Sequence, residues 1–271
     1  MAQLTGSRSG DWGPVLRATV LPPVRFDAAT ATMLVAVFGT TISPYLFFWQ
    51  AAQAVEEERA LGRRTVGQRK GATPAELRAA RTDVTAGMGF SVLVMYFILV
   101  TTGATLYPAG LRHIETARQA AEALRPLAGR GAYLLFSLGL LGTGFLGVPV
   151  LAGSAAYAVA EAGAWRGSIN DRPRVAPRFF GVLALALAAG VAIDLAGVNA
   201  VRMLYLAAVV NGVLAAPLIL VILRVANDRR VMGEQRNGRW LNVLVGLAAV
   251  VMLAGAAVTV WSALPHSAPA P

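Results

Sequence analysis

The chain has 271 residues, 56% of them hydrophobic and 14% charged, with a mean hydropathy of +0.59. A soluble domain carries about 25% charged residues, so a soluble globular fold is excluded and a polytopic all-α integral membrane protein is predicted. The net charge of +10 is then loop charge rather than a nucleic-acid footprint, because membrane proteins concentrate Lys and Arg in cytoplasmic loops.

No cysteine is present, which excludes disulfides, thiolate metal sites and a cysteine nucleophile. The two histidines, His113 and His266, lie outside the apolar runs, so no histidine cluster forms inside the membrane. There is no nucleophile–base set, metal-ligand cluster or nucleotide loop. Neither an enzyme nor a resident cofactor is expected, and no nucleic-acid partner.

Residues 1–27 lack the apolar core of a signal peptide and are expected to form an extracytoplasmic loop. A transmembrane domain at 28–262 follows, with six apolar spans near 28–55, 84–106, 132–160, 179–195, 201–223 and 241–261. Each approaches or exceeds the roughly 20 apolar residues that cross a bilayer. The Pro- and Ala-rich tail at 263–271 is expected to be disordered.

The first span is interrupted at its centre by Gly39-Thr40-Thr41-Ile42-Ser43-Pro44-Tyr45. Glycine is a weak helix former. Proline removes a backbone donor and clashes with the turn before it, and it drives the preceding residue away from helical geometry. Ser43 suits an N-cap and Pro44 the first position of a new helix. Two half-helices joined by an unwound link are therefore predicted. Irregular backbone at that depth is tolerated only where protein buries it or where it lines a wet cavity, and a substrate site is one reason to keep it. A proline kink with hydroxyls bonded back to their own helix is the rival reading.

In the loop at 56–83, Thr73, Pro74 and Glu76 have the spacing of a capping box with proline at the first helical position. They predict a short solvated helix. Glu56 to Glu58 stand at the mouth of this loop, where a solvated face competes with a cation vestibule. The loop at 108–130, with His113, reads as an amphipathic external helix. In the third span, Gly139, Thr143 and Gly147 recur every four residues, a stripe suited to close helix packing. Asp194, near the outer end of the fourth span, either snorkels to the surface or lines an outer vestibule, and Asn199 and Arg202 just beyond are candidate partners. Asn211 is the only strongly polar residue deep in the fifth span, suited to an interhelical hydrogen bond or to a substrate.

Orientation follows from charge. The loops at 56–83, 161–178 and 224–240 hold sixteen of the 24 Lys and Arg residues, which places them in the cytoplasm and both ends of the chain outside. A basic N-terminal loop that crosses without a signal peptide suggests an odd number of spans ahead of Met1 in the protein or its ancestor.

Three stretches together resemble the second half of an Nramp-family divalent metal ion transporter. The Gly39 to Tyr45 string above is similar to the family's unwound sixth helix, which has a Met-Pro-His core in typical members. The string Gly142-Thr143-Gly144-Phe145-Leu146-Gly147-Val148-Pro149-Val150-Leu151-Ala152-Gly153-Ser154 resembles the eighth helix. Asn227-Asp228-Arg229-Arg230-Val231-Met232-Gly233 resembles the cytoplasmic turn after the tenth. The resemblance implies a LeuT-like fold in which these six spans are the second inverted repeat plus one extra helix. The Asp-Pro-Gly-Asn motif of the first repeat, which supplies the family's metal-binding carboxylate, does not occur in this sequence.

The resemblance also implies a transported divalent cation, of the Mg²⁺, Mn²⁺ and Fe²⁺ class, moved by alternating access in a multi-pass inner-membrane protein. Ser43 stands where the family has Met, and Tyr45 where it has His. Oxygen ligands suit hard ions, whereas a thioether favours softer ones, so a hard cation is expected. The implied metal-site residues are Gly39, Thr40, Thr41, Ser43, Tyr45 and Asn211. The expected partners are the ion, the lipid bilayer and either a chain that supplies the first repeat or a second copy. Two other readings stay open: a truncated fragment that transports nothing, and an organic-substrate symporter of the same superfold.

Overall fold

The structure is a computed structural model. It describes residues 27–69, 71–105, 116–123 and 129–263, with a few isolated positions besides. The expectations for residues 1–26, for His113 and for most of the C-terminal tail fall outside the described residues. The fold is all-α: α1 Ala28–Thr41, α2 Pro44–Ala60, α3 Pro74–Thr105, α4 Ala117–Ala123, α5 Ala132–Ala162, α6 Pro177–Leu195, α7 Ala200–Asn227, α8 Arg229–Met232 and α9 Arg239–Ala263, with a short 3₁₀ turn at Gly129–Gly131. Among the described residues, six helical spans are long and apolar enough to cross a membrane, α1 and α2 counting together as one. The protein is a multi-pass membrane protein.

The chain divides into two compact units, one of residues 1–24 and 63–143 and the other of residues 25–62 and 144–271. In the first unit α3 dominates. Thr73 and Glu76 form the capping box that starts it: the Glu76 N–H donates to Thr73 Oγ1 at 3.2 Å and the Thr73 N–H to Glu76 Oε2 at 2.7 Å. Arg63 adds an ion pair to Glu76 at 2.9 Å. The expected short loop helix is instead the first turn of the whole span, since nothing between Pro74 and Thr105 breaks the helix. No residue of α3 is buried among those described, although the helix is strongly apolar. An all-round apolar surface of that kind fits lipid.

The second unit holds two apolar clusters. One is built by α7 and α9 through Ala215, Ala216, Ile219, Ala249, Met252 and Ala256, with Phe38 and Ile42 packed on it. The other joins α2, α5 and α6 through Ala52, Ala156, Tyr157, Ala160 and Phe179, with Trp49 packed against it. Alanine and glycine at these seams let backbones approach closely, which is how membrane helices gain packing energy without a hydrophobic drive. A Cβ on Gly39 would lie 2.0 Å from the Ala208 carbonyl oxygen, and one on Gly212 would lie 2.2 Å from the Val35 carbonyl oxygen. Helices α1 and α7 therefore cross backbone to backbone. A Cβ on Gly255 of α9 would lie 2.8 Å from Val35 Cγ2, so there a side chain rather than the backbone of α1 fills the space.

The small-residue stripe on α5 behaves differently. No described residue outside the helix's own neighbouring backbone lies within 4 Å of a Cβ placed on Gly139 or Gly147, and the Thr143 hydroxyl donates to Gly139 O at 2.8 Å. Asn199 caps α7 by accepting from the Arg202 N–H at 2.9 Å, so its side-chain oxygen serves the helix end.

Candidate functional site

The link lies between two helices that are each complete in themselves. Helix α1 starts on Asp27, whose carboxylate accepts from the Thr30 N–H at 2.7 Å. It ends where Ile42 leaves helical geometry (φ −108°, ψ 73°), its N–H still donating to Phe38 O. Ser43 is extended (φ −89°, ψ 119°), and Pro44 opens α2. The break predicted from Gly39 to Pro44 is thus a two-residue link at positions 42–43.

Ser43 occupies the N-cap position, but its hydroxyl makes no cap to α2. It turns back, donating to Gly39 O at 2.9 Å and lying 3.1 Å from Thr40 O. The physical reason is Pro44. In a continuous helix the Thr40 carbonyl would accept from residue 44, and proline has no N–H. The hydroxyl of Ser43, a residue only 2% exposed, sits beside that carbonyl and donates to Gly39 O, the carbonyl that the Ser43 N–H would serve in an unbroken helix; left unpaired there, a buried carbonyl would be costly. Thr40 and Thr41 donate to Val37 O at 2.7 and 3.0 Å. Break and back-bonded hydroxyls, set against each other as readings of the sequence, therefore coexist.

This arrangement leaves a cluster of oxygens with spare acceptor capacity. A carbonyl oxygen has two lone pairs and a hydroxyl oxygen two more, so each remains an acceptor after the bonds above are made. The carbonyl end of α1 also carries the negative end of the helix dipole. The chemistry offered is a group of neutral hard oxygens at the negative end of a helix, a type of donor suited to a cation.

Of the six residues singled out, Gly39, Thr40, Thr41 and Ser43 share the last turn of α1 and the link. Gly39 and Ser43 are buried, Thr41 is half-buried and Thr40 exposed. Tyr45, half-buried, follows in the first turn of α2. Asn211 lies on α7 beside Gly212, between the two residues that Gly39 touches. It is half-buried, and its amide makes no hydrogen bond among the described residues. The interhelical bond expected of it is not formed there.

The second unit holds a further set of polar contacts that the sequence did not pair. Glu56, at the end of α2, accepts from the Tyr157 hydroxyl at 2.5 Å and from the Asn170 side-chain amide. The Tyr157 oxygen in turn accepts from the Ile169 N–H at 3.0 Å. Trp49, two turns before Glu56 on the same side of α2, seats on Gly153, where a Cβ would lie 2.5 Å from its ring. Asn227 and Asn242 exchange side-chain bonds of 2.9 and 2.6 Å and tie α7 to α9. The helical spacing of Trp49, Gln53 and Glu56 was the available signal for a common face, but it does not name the partner.

Residues 9–262 match the family described as Nramp, natural resistance-associated macrophage protein-like. The chain belongs to the Nramp family. Among its relatives, the divalent metal cation transporter MntH of Vibrio campbellii is 26% identical over 223 residues, 82% of this chain and 48% of the relative. MntH of Aeromonas hydrophila is 27% identical over 226 residues, covering 80% and 51%. MntH of Verminephrobacter eiseniae is 27% identical over 252 residues, covering 92% and 52%. The chain thus spans about half the length of these Nramp relatives. They are named as transporters, in agreement with the reading that this member is not an enzyme.

Proposed function

We propose that this Nramp-family chain provides part of the path of a divalent metal cation transporter, with the link at 42–43 lining the ion site. One observation carries the proposal: a buried, non-helical link inside an apolar helical span, with the carbonyls of Gly39 and Thr40 and the hydroxyl of Ser43 gathered on it. Backbone oxygens at a broken helix can replace the hydration shell of a cation. The names of the MntH relatives support the same class of substrate.

On this reading, Gly39, Thr40, Thr41 and Ser43 offer oxygens, Tyr45 lines the cavity, and the Asn211 amide stands ready beside the crossing of α1 and α7. All are hard oxygen donors. They favour Mg²⁺ or Mn²⁺ over softer ions, because selectivity follows ligand type. The six spans act as the second inverted repeat plus one helix of a LeuT-like fold, in the inner membrane, with the basic loops in the cytoplasm. A first inverted repeat completes the site with a carboxylate, and alternating access follows from rocking about the broken helix.

The test is uptake of Mg²⁺, Mn²⁺ and Fe²⁺ by cells that make this chain, alone and together with the N-terminal half of an MntH relative. Uptake above that of empty cells in the paired case is the expected result. No uptake of any ion in either case overturns the proposal.

A further inference from the structure

The two half-helices are fastened to different neighbours. Gly39 and Val35 of α1 pack on Gly212 and Gly255, and Phe38 and Ile42 join the α7–α9 cluster. Past the break, Trp49 and Ala52 of α2 join the α5–α6 cluster, while the backbone of α2 packs more extensively on α7 than on α5 or α6. The division falls at 42–43, where the backbone is already out of helical geometry. A link of this kind absorbs changes in φ and ψ without breaking helix bonds, which is what a hinge needs.

The seam between α2 and α5 is thin. It consists mainly of Trp49 on Gly153 and of Ala52 near Ala156 and Tyr157, and alanines bury little area. The Gln53 amide nitrogen, one turn before Glu56, is buried and has no partner among the described residues, a cost that the present arrangement carries. Against this stands one strong polar tie at the far end of α2: Glu56 to Tyr157 and Asn170, with Tyr157 holding the backbone of Ile169. Hydrogen bonds to a carboxylate are shorter and stronger than neutral ones.

We propose that Glu56, Tyr157 and Asn170 form a latch that keeps α2 closed against α5, with the 42–43 link as its hinge. Releasing the latch swings α2 away from α5 and opens the flank of the link. The use of this motion in ion passage rests on the transport reading above; the latch itself does not.

The chain contains no cysteine, so a single introduced thiol reports exposure cleanly. The experiment uses the full chain, purified in detergent without added metal. It follows the rate at which a small maleimide labels Ala156→Cys, and Ala52→Cys as a second reporter; both positions are buried in the α2–α5 seam. A third reporter, Ala215→Cys, sits in the other cluster. Glu56→Gln and Tyr157→Phe are each expected to speed labelling at 156 and 52 by roughly ten- to a hundredfold, the size expected for the loss of a charge-assisted bond. Labelling at 215 is expected to stay unchanged. The two substitutions together add little to either one. Unchanged rates at 156 and 52 overturn the latch. So does an equal rise at 215, which marks general loosening. Because no ion is present, failure here is distinct from failure of the transport reading.

Discussion

Single residues at the link carry separable loads. Ser43→Ala removes the donor that serves the Gly39 and Thr40 carbonyls at a buried position. A buried acceptor left unpaired costs about 1–3 kcal/mol, and Ser43→Thr, which keeps the hydroxyl, recovers most of it. Thermal unfolding of the detergent-solubilised protein measures both; equal stability of wild type and Ser43→Ala contradicts the assignment. Gly39→Ala places a methyl group on the Ala208 carbonyl and the Gly212 backbone, and overpacking of this kind costs about 1–3 kcal/mol. Gly147→Ala has no described neighbour to meet, and alanine is the better helix former by about 1 kcal/mol. The first is expected to lower the unfolding temperature and the second to leave it unchanged or raise it.

Among the helices, the break was legible because Pro44 and a run of polar residues in an apolar span disfavour an uninterrupted helix. The direction of the Ser43 hydroxyl was not, since capping forward and bonding back use the same residue at the same position. The Thr73–Glu76 capping box was legible for a similar local reason, whereas its continuity with the whole of α3 depends on the absence of any breaker up to Thr105. Glu56 and Tyr157 are 101 residues apart; periodicity assigns each to a face but cannot pair the faces. Gly139 and Gly147 of α5 have the spacing of a packing seam, yet nothing described outside the helix's own neighbouring backbone lies within 4 Å of a Cβ placed on either. Within the spans, the close approaches that do form are at Gly39, Gly212 and Gly255, and at Gly153 of α5 itself; Gly39 and Gly212 are each the one glycine of their span and less conspicuous. The pair Asn227 and Asn242 offers a test of helix-to-helix ties. The two amides exchange bonds between α7 and α9, and Asn227 also donates to Leu223 O at 2.7 Å. Interhelical polar bonds in membrane proteins contribute on average about 0.6 kcal/mol, with a maximum near 1.7. A double-mutant cycle with Asn227→Ala and Asn242→Ala is expected to give a coupling energy in that range. A coupling of zero shows that the pair does not hold the two helices together.

For the molecule as a whole, composition and six apolar runs established a multi-pass helical membrane protein, because a bilayer imposes length and apolarity directly on sequence. Family membership was legible in three strings of residues taken together. The proposed ion site is harder to read, because the ligands proposed for it are chiefly backbone carbonyls, which every residue carries; only the breakers that expose them leave a mark. Two substitutions against the usual motif, Ser43 and Tyr45, concentrate the question of substrate at one position. The sharpest test of a hard-ion site at the link is the ratio of Mg²⁺ to Fe²⁺ uptake by this chain paired with an N-terminal half from a relative, with Ser43 intact and as Ser43→Met. Preference for Mg²⁺ is expected with Ser43, and a shift of about tenfold toward Fe²⁺ with Met, equivalent to about 1.4 kcal/mol. A ratio that the substitution leaves unchanged, or a preference for Fe²⁺ with Ser43 in place, would contradict the assignment of a hard-ion site.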